Sequence, residues 1–134
     1  MKLAAILLLP VALAGISAQA TEMPQVPKVG VEGPEADACV GVGRVSRGNL
    51  PRDGRLPVYP MPTDEGRAKD HLASDTLVWL CEVKGDWQGI VYASGEFQEL
   101  GDCRVSTPVS TPHAYAGPCR WGWVSARSLH LVAG

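Results

Sequence analysis

The 134-residue sequence carries little net charge, few aromatic residues and none of the short motifs that commonly mark a metal or catalytic site. Its 12 basic and 14 acidic residues leave a net charge of −2, which excludes a broad electrostatic nucleic-acid or membrane-surface binder. The sequence has no C-x-x-C, H-x-x-x-H or Gly-x-Ser-x-Gly unit. We therefore expect no metal, no cofactor and no nucleic-acid partner.

Long helical patterns are also lacking. The chain has 15 glycines and 11 prolines, and nearly all of them follow residue 20. Glycine has low helix propensity and proline breaks the helical hydrogen-bond ladder, so this density argues against long helices. The composition predicts a small, turn-rich β domain.

The N-terminus has the pattern of a removable signal peptide at residues 1–20. Lys2 precedes an apolar stretch over 3–16, and residues 18–20, Ala-Gln-Ala, form a small-residue cleavage site. The stretch is shorter than the roughly 20 residues that span a membrane, and Pro10 interrupts it. The short n-region with its single lysine resembles bacterial signals, so we expect a periplasmic or secreted bacterial protein without stable membrane insertion. A retained N-terminal anchor is the alternative.

Four cysteines lie in the remaining chain, and an even number in a small exported protein predicts disulfides. Cys103 and Cys119 bracket a polar, proline-rich stretch and are natural partners, which leaves Cys39 with Cys81. A zinc site is the competing interpretation, but the cysteine and histidine spacings do not favour it.

Short strands separated by turn residues are predicted within a domain at 37–134, which follows a flexible linker at 21–36. A polar excursion at 60–75 and a long loop at 93–119 interrupt the pattern. The predicted strands are 39–45, 55–59, 76–83, 87–92, 121–125 and 129–132, with a helical turn at 126–128.

Two strings resemble the closing part of bacterial SH3-like domains. They are Gly85-Asp86-Trp87 followed by Ile90 and Val91, and the run from Gly122-Trp123-Val124 to Leu129. Gly117-Pro118-Cys119 is similar to a pattern in small exported proteobacterial proteins of this kind, which carry two disulfides. The resemblance covers about residues 54–131. It implies an all-β, small SH3-like partly open barrel of five to six strands with a long disulfide-closed loop.

Alternation within the closing strand predicts that Trp123 and Val124 point to opposite faces. The chain departs from the SH3-like pattern in two places. Pro57 and Tyr59 replace the usual residues near the first strands, and the loop from 93 to 120 is much longer than in typical members.

The candidates for a shallow ligand groove are aromatic residues together with one histidine. In SH3-like domains such aromatics bind extended or proline-rich peptides. For the tryptophans the alternative is a packing role. The loop that contains His113 and Tyr115 could form one wall of the groove, and its alternative is a solvated insertion. Asp64 belongs to an excursion that borders the peptide groove in SH3 folds. The groove candidates are Tyr59, Trp87, Tyr92, Trp123, His113 and Tyr115.

Together these features predict an exported, non-catalytic module that recognises a peptide-like ligand, either a cell-wall peptide or a periplasmic protein. An alternative is a secreted inhibitor or immunity-type protein that docks its disulfide loop into a partner enzyme. An enzyme ranks last, because no nucleophile is paired with His113 in the sequence.

Overall fold

A computed structural model describes residues 5–7, 9–15, 23–93 and 100–134, and this part of the chain is all-β. None of its helical segments is long and apolar enough to cross a membrane. Residues 5–7 and 9–15 of the predicted signal peptide are exposed and form no strand or helix; the rest of that segment lies outside the described residues. The elements are β1 (Lys28–Val29), β2 (Gly41–Val45), β3 (Arg55–Val58), β4 (Asp70–Ala73), β5 (Leu77–Lys84), β6 (Trp87–Tyr92), β7 (His113–Ala114), β8 (Arg120–Ser125), the 3-10 turn η1 (Ala126–Ser128) and β9 (Leu129–Ala133).

The main sheet is antiparallel and open, with the strand order β8-β6-β5-β2-β9. The β3–β4 hairpin extends it beyond β8, because Tyr59 and Trp123 exchange two backbone hydrogen bonds of 2.9 Å. The third sheet pairs β1 with β7. These observations confirm the predicted all-β class and the partly open arrangement.

Each face of the main sheet packs against its own hydrophobic cluster, as strand alternation requires. Val124 lies in the inner cluster, whereas Trp123 is fully buried on the opposite face, so the predicted divergence of these neighbours is confirmed. The inner cluster is Val45, Leu56, Val58, Leu72, Val78, Ile90, Tyr92 and Val124. The outer cluster is Val29, Ala38, Cys39, Cys81, Val91, Cys103, Val105 and Tyr115.

Both predicted disulfides are present, and both belong to the outer cluster. Cys39 is bonded to Cys81, and Cys103 to Cys119, which closes the long loop. The first bond joins the segment before β2 to the centre of β5, and the second joins residue 103 of the loop to the residue directly before β8. Two such bonds indicate an oxidising compartment.

The segment predicted as a flexible linker, 21–36, is described from residue 23 onward; it contains β1, and its residues 25–29 pack on the outer face. Pro27 and Val29 are buried, and Gln25 N donates to Pro60 O at 2.9 Å. Residues 25–29 thus form an N-terminal arm that belongs to the domain, so the predicted boundary at 37 falls inside the ordered structure. The arm covers Trp123, and its hydrogen bonds come mainly from the backbone, which leaves no periodic sequence pattern.

Two strands lie where the sequence predicts only loops. β4 falls within the predicted polar excursion, and only Leu72 in it is buried. β7 has two residues, both exposed, within the predicted long loop. Such short strands carry too few buried positions to produce the alternation on which strand prediction depends. Residues 94–99 of that loop lie outside the described part.

Candidate functional site

An open groove of about 190 Å³ lies between the segment that links β2 to β3, the end of β3, the start of β6 and η1. Its walls combine two aromatic rings, two prolines and several polar groups. The lining residues are Asn49, Pro51, Leu56, Pro57, Tyr59, Asp64, Trp87, Ser125, Arg127 and Ser128.

Local structure brings the two aromatic residues of this groove together. The backbone of Tyr59 is held against β8 by its two hydrogen bonds with Trp123. Trp87 opens β6 directly after a tight turn in which Gly85 adopts a φ of 57°, and it pairs in register with Ser125. Gly85 suits this left-handed conformation because it has no Cβ.

The rings of Tyr59 and Trp87 form an aromatic corner. Their centroids lie 5.7 Å apart and their planes are perpendicular, at 89°. Both residues are half-buried, so each ring presents part of its surface to the groove. A corner flanked by Pro51 and Pro57 suits an aliphatic or pyrrolidine side chain.

The polar groups of the groove come from separate elements. Asp64 belongs to the β3–β4 connection and Arg127 to η1, and both are exposed. Ser125 precedes η1 but its side chain does not cap it. Hydroxyl, carboxylate and guanidinium groups thus surround the aromatic corner, and they can give a bound chain hydrogen bonds and direction.

Two of the predicted groove residues lie in the protein interior instead. Trp123 is fully buried beneath the arm, where its indole Nε1 donates to Gln25 O at 2.7 Å. Tyr92 is buried in the inner cluster, and its hydroxyl donates to Asp70 Oδ2 at 3.0 Å. Each therefore supports the walls of the domain and does not contact a ligand in the groove.

The remaining two candidates belong to the disulfide-closed loop. Tyr115 is buried, and its hydroxyl donates to Cys103 O at 2.9 Å and accepts from Cys119 N at 3.0 Å. These bonds clamp both ends of the loop beside the disulfide. His113 is exposed on β7, with Nδ1 2.9 Å from Thr111 O. The structure places Tyr59 and Trp87 together in the groove and the other four residues elsewhere.

A polar cluster links the start of β4 to the start of β8, at the end of β6 and β8 away from the groove. Lys69 Nζ lies 3.5 Å from the Trp121 ring centroid and donates to Trp121 O at 2.6 Å, and burial lowers the pKa of Lys69. Arg120 pairs with Asp70 at 3.3 Å. Burial, followed by the Asp70 carboxylate, raises the pKa of the Tyr92 hydroxyl well above its ordinary value.

Tyr92 makes the stability of the fold sensitive to alkaline pH. Its pKa is higher in the folded state than the unfolded value near 10, so its contribution is complete below about pH 10 and is lost as the pH rises further. We expect Tyr92→Phe to lower the free energy of unfolding by about 1 kcal/mol at pH 7, because the hydrogen bond to Asp70 is lost. The variant should also lose less stability than the parent as the pH rises. Urea unfolding at pH 7, 9 and 11 measures both effects; parallel losses in the two proteins would contradict the assignment.

The sequence predicts the aromatic pair of the groove but not most of its neighbours. Pro51, Pro57 and Arg127 have common structural roles as turn, edge-strand and helical-turn residues, so their types do not mark them as groove residues. The signal that could have found them is their place in the predicted topology, since η1 and the β2–β3 connection meet beside the first residue of β6.

Within the described residues, no group of three or more His, Cys, Asp or Glu side chains is arranged to hold a metal ion. Comparisons of the chain with family models, with curated proteins and with solved structures found no match.

Proposed function

We propose that this protein is an exported, non-catalytic SH3-like module whose groove binds a peptide-like ligand, with cell-wall peptide as the leading candidate and a periplasmic protein as the other. The observation that carries this proposal is the corner between Tyr59 and Trp87 in an open groove. Aromatic side chains contribute much of the energy at recognition sites because they bury a large apolar area with few rotatable bonds.

The chemistry of the groove favours binding over catalysis. Its centre consists of aromatic and proline side chains, and the lining residues that the structure describes include no histidine, cysteine or lysine that could serve as a base or an activated nucleophile. A serine–histidine contact occurs elsewhere: Ser46 Oγ lies 3.1 Å from His130 Nε2. Ser46 is buried, and its hydroxyl also accepts a hydrogen bond from Gly48 N, as in an ordinary turn.

The compartment supports a ligand at the cell surface or in the periplasm. Two disulfides are typical of an oxidising environment, and the predicted signal peptide would direct the chain there. Peptidoglycan is the abundant peptide-bearing polymer of that compartment in bacteria.

The test is co-sedimentation of the oxidised mature protein with purified peptidoglycan. We expect the parent to bind, and Trp87→Ala to reduce the affinity at least about 10-fold, as for a central aromatic contact. His113→Ala, an exposed change outside the groove, is the matched control and should bind like the parent. Equal binding by the parent and Trp87→Ala would show that the groove is not the binding site. If the parent does not bind, the ligand is not cell-wall peptide, and a periplasmic protein becomes the leading candidate.

The rigid loop favours a second candidate function, docking into a partner enzyme as an inhibitor or immunity-type factor. Tyr115 and the disulfide Cys103–Cys119 clamp the loop, while residues 110–113 at its surface are all exposed. A loop that is already ordered loses little entropy on binding. Replacing 110–113 by Gly-Ser-Gly-Ser should abolish capture of such an enzyme and leave peptidoglycan binding unchanged.

A further inference from the structure

Two opposite charges of the groove have no ion-pair partner among the residues that the structure describes. Asp64 and Arg127 are exposed, and neither forms an ion pair with another described residue. Other charged side chains of the domain do pair, as in the contact of 2.7 Å between Arg47 and Asp75. The groove therefore keeps one carboxylate and one guanidinium available for a ligand.

The two charges also lie on different elements around the aromatic corner. Asp64 is supplied by the β3–β4 connection and Arg127 by η1, while Trp87 stands at the start of β6. A guanidinium recognises a carboxylate through a pair of parallel N–H donors, and a carboxylate attracts an ammonium or guanidinium group. A ligand with only one sign of charge would satisfy one of these groups and leave the other unpaired.

We propose that the groove recognises an amphoteric peptide of the cell wall. Such a ligand places an apolar side chain against Tyr59 and Trp87, a carboxylate on Arg127 and an amino group near Asp64. This inference rests on the proposed function and adds the charge pattern of its ligand. A wall stem peptide fits because it carries alanine methyl groups, a free amino group on its diamino acid and several carboxylates within a few residues.

The experiment titrates the oxidised mature protein with the soluble tetrapeptide L-Ala-γ-D-Glu-meso-diaminopimelate-D-Ala and follows the indole N–H resonance of Trp87 by NMR. Two derivatives are compared with it: one with acetylated amines and one with amidated carboxylates. We expect each derivative to bind at least about fivefold more weakly, because each loses a charge-assisted contact.

Paired variants assign each loss to one protein group. Asp64→Asn should lower the affinity for the unmodified tetrapeptide at least about fivefold, and this variant should bind the acetylated and unmodified peptides equally well. Arg127→Gln should lower the affinity by a similar factor and should bind the amidated and unmodified peptides equally well. The matched controls are Glu65→Gln, in the same loop as Asp64, and Arg52→Gln, near the groove. Neither residue lines the groove, so both variants should bind like the parent.

The possible failures are distinguishable. If Asp64→Asn and Arg127→Gln bind like the parent while Trp87→Ala loses binding, the charge pattern is wrong and the proposed function stands. Absence of saturable binding by the parent also overturns this inference, and co-sedimentation with intact peptidoglycan then decides the proposed function separately. If a periplasmic protein binds tightly and the tetrapeptide does not bind, the ligand of the groove is a protein and not a wall peptide.

Discussion

Replacing Cys39 and Cys81 together by alanine is expected to lower the free energy of unfolding by about 4 kcal/mol, from the loop-closure entropy of a bond across 42 residues. The bond also lies inside the outer cluster, where it joins the segment before β2 to β5. A domain of this size has a total stability of roughly 5–15 kcal/mol, so the loss is a large fraction of it. Urea unfolding followed by tryptophan fluorescence measures it.

The second disulfide supplies the comparison. Removing Cys103 and Cys119 is expected to cost about 3 kcal/mol, because this bond closes a loop across only 16 residues. Tyr115 still holds the loop ends through its two hydrogen bonds in that variant. A loss below about 1 kcal/mol for the Cys39/Cys81 pair, or a larger loss for the shorter loop, would contradict this interpretation.

Trp123→Ala is expected to destabilise the fold by about 3–5 kcal/mol, as for other buried tryptophans changed to alanine. The ring is fully buried between the main sheet and the arm, and its removal also leaves Gln25 O without its donor. The arm then loses a contact on which its docking depends. Amide hydrogen exchange at residues 25–29 should rise together with the loss of stability.

Two further variants serve as comparisons, one that keeps an aromatic ring at position 123 and one that removes an aromatic ring at the groove. Trp123→Phe keeps part of the packing and should lose about 2 kcal/mol, from the missing indole hydrogen bond and the smaller ring together. Trp87→Ala removes a half-buried ring at the groove and should stay folded with a smaller loss. If Trp123→Ala were as stable as Trp87→Ala, the arm would not be held in the way the structure indicates.

The sequence was sufficient to predict the elements whose residues carry repeated local signals. Trp87–Tyr92 was predicted as a strand with its observed bounds because apolar residues follow a Gly-Asp turn, and 126–128 as a helical turn. The disulfide pairing followed from the cysteine positions. Tyr59 and Trp87 were predicted as groove residues, and the structure places them 5.7 Å apart.

What could not be predicted depends on tertiary contacts. The arm has no periodicity. Its place depends on packing over Trp123, on the bond that Gln25 N donates to Pro60 O and on the bond that Gln25 O accepts from the Trp123 indole. Tyr92 and Tyr115 have the same residue type as Tyr59, yet both are buried with satisfied hydroxyl groups. Residue type alone therefore could not separate groove from core. The relation to bacterial SH3-like domains stays a prediction.

A backbone NMR map of the oxidised mature protein during addition of soluble peptidoglycan fragments tests the groove most directly. We expect saturable shifts at Tyr59, Trp87 and the residues around them in the groove, with residues 107–114 of the disulfide loop unchanged. Shifts confined to that loop would contradict a peptide site in the groove. The absence of any shift in a protein that does bind the intact wall would contradict it as well.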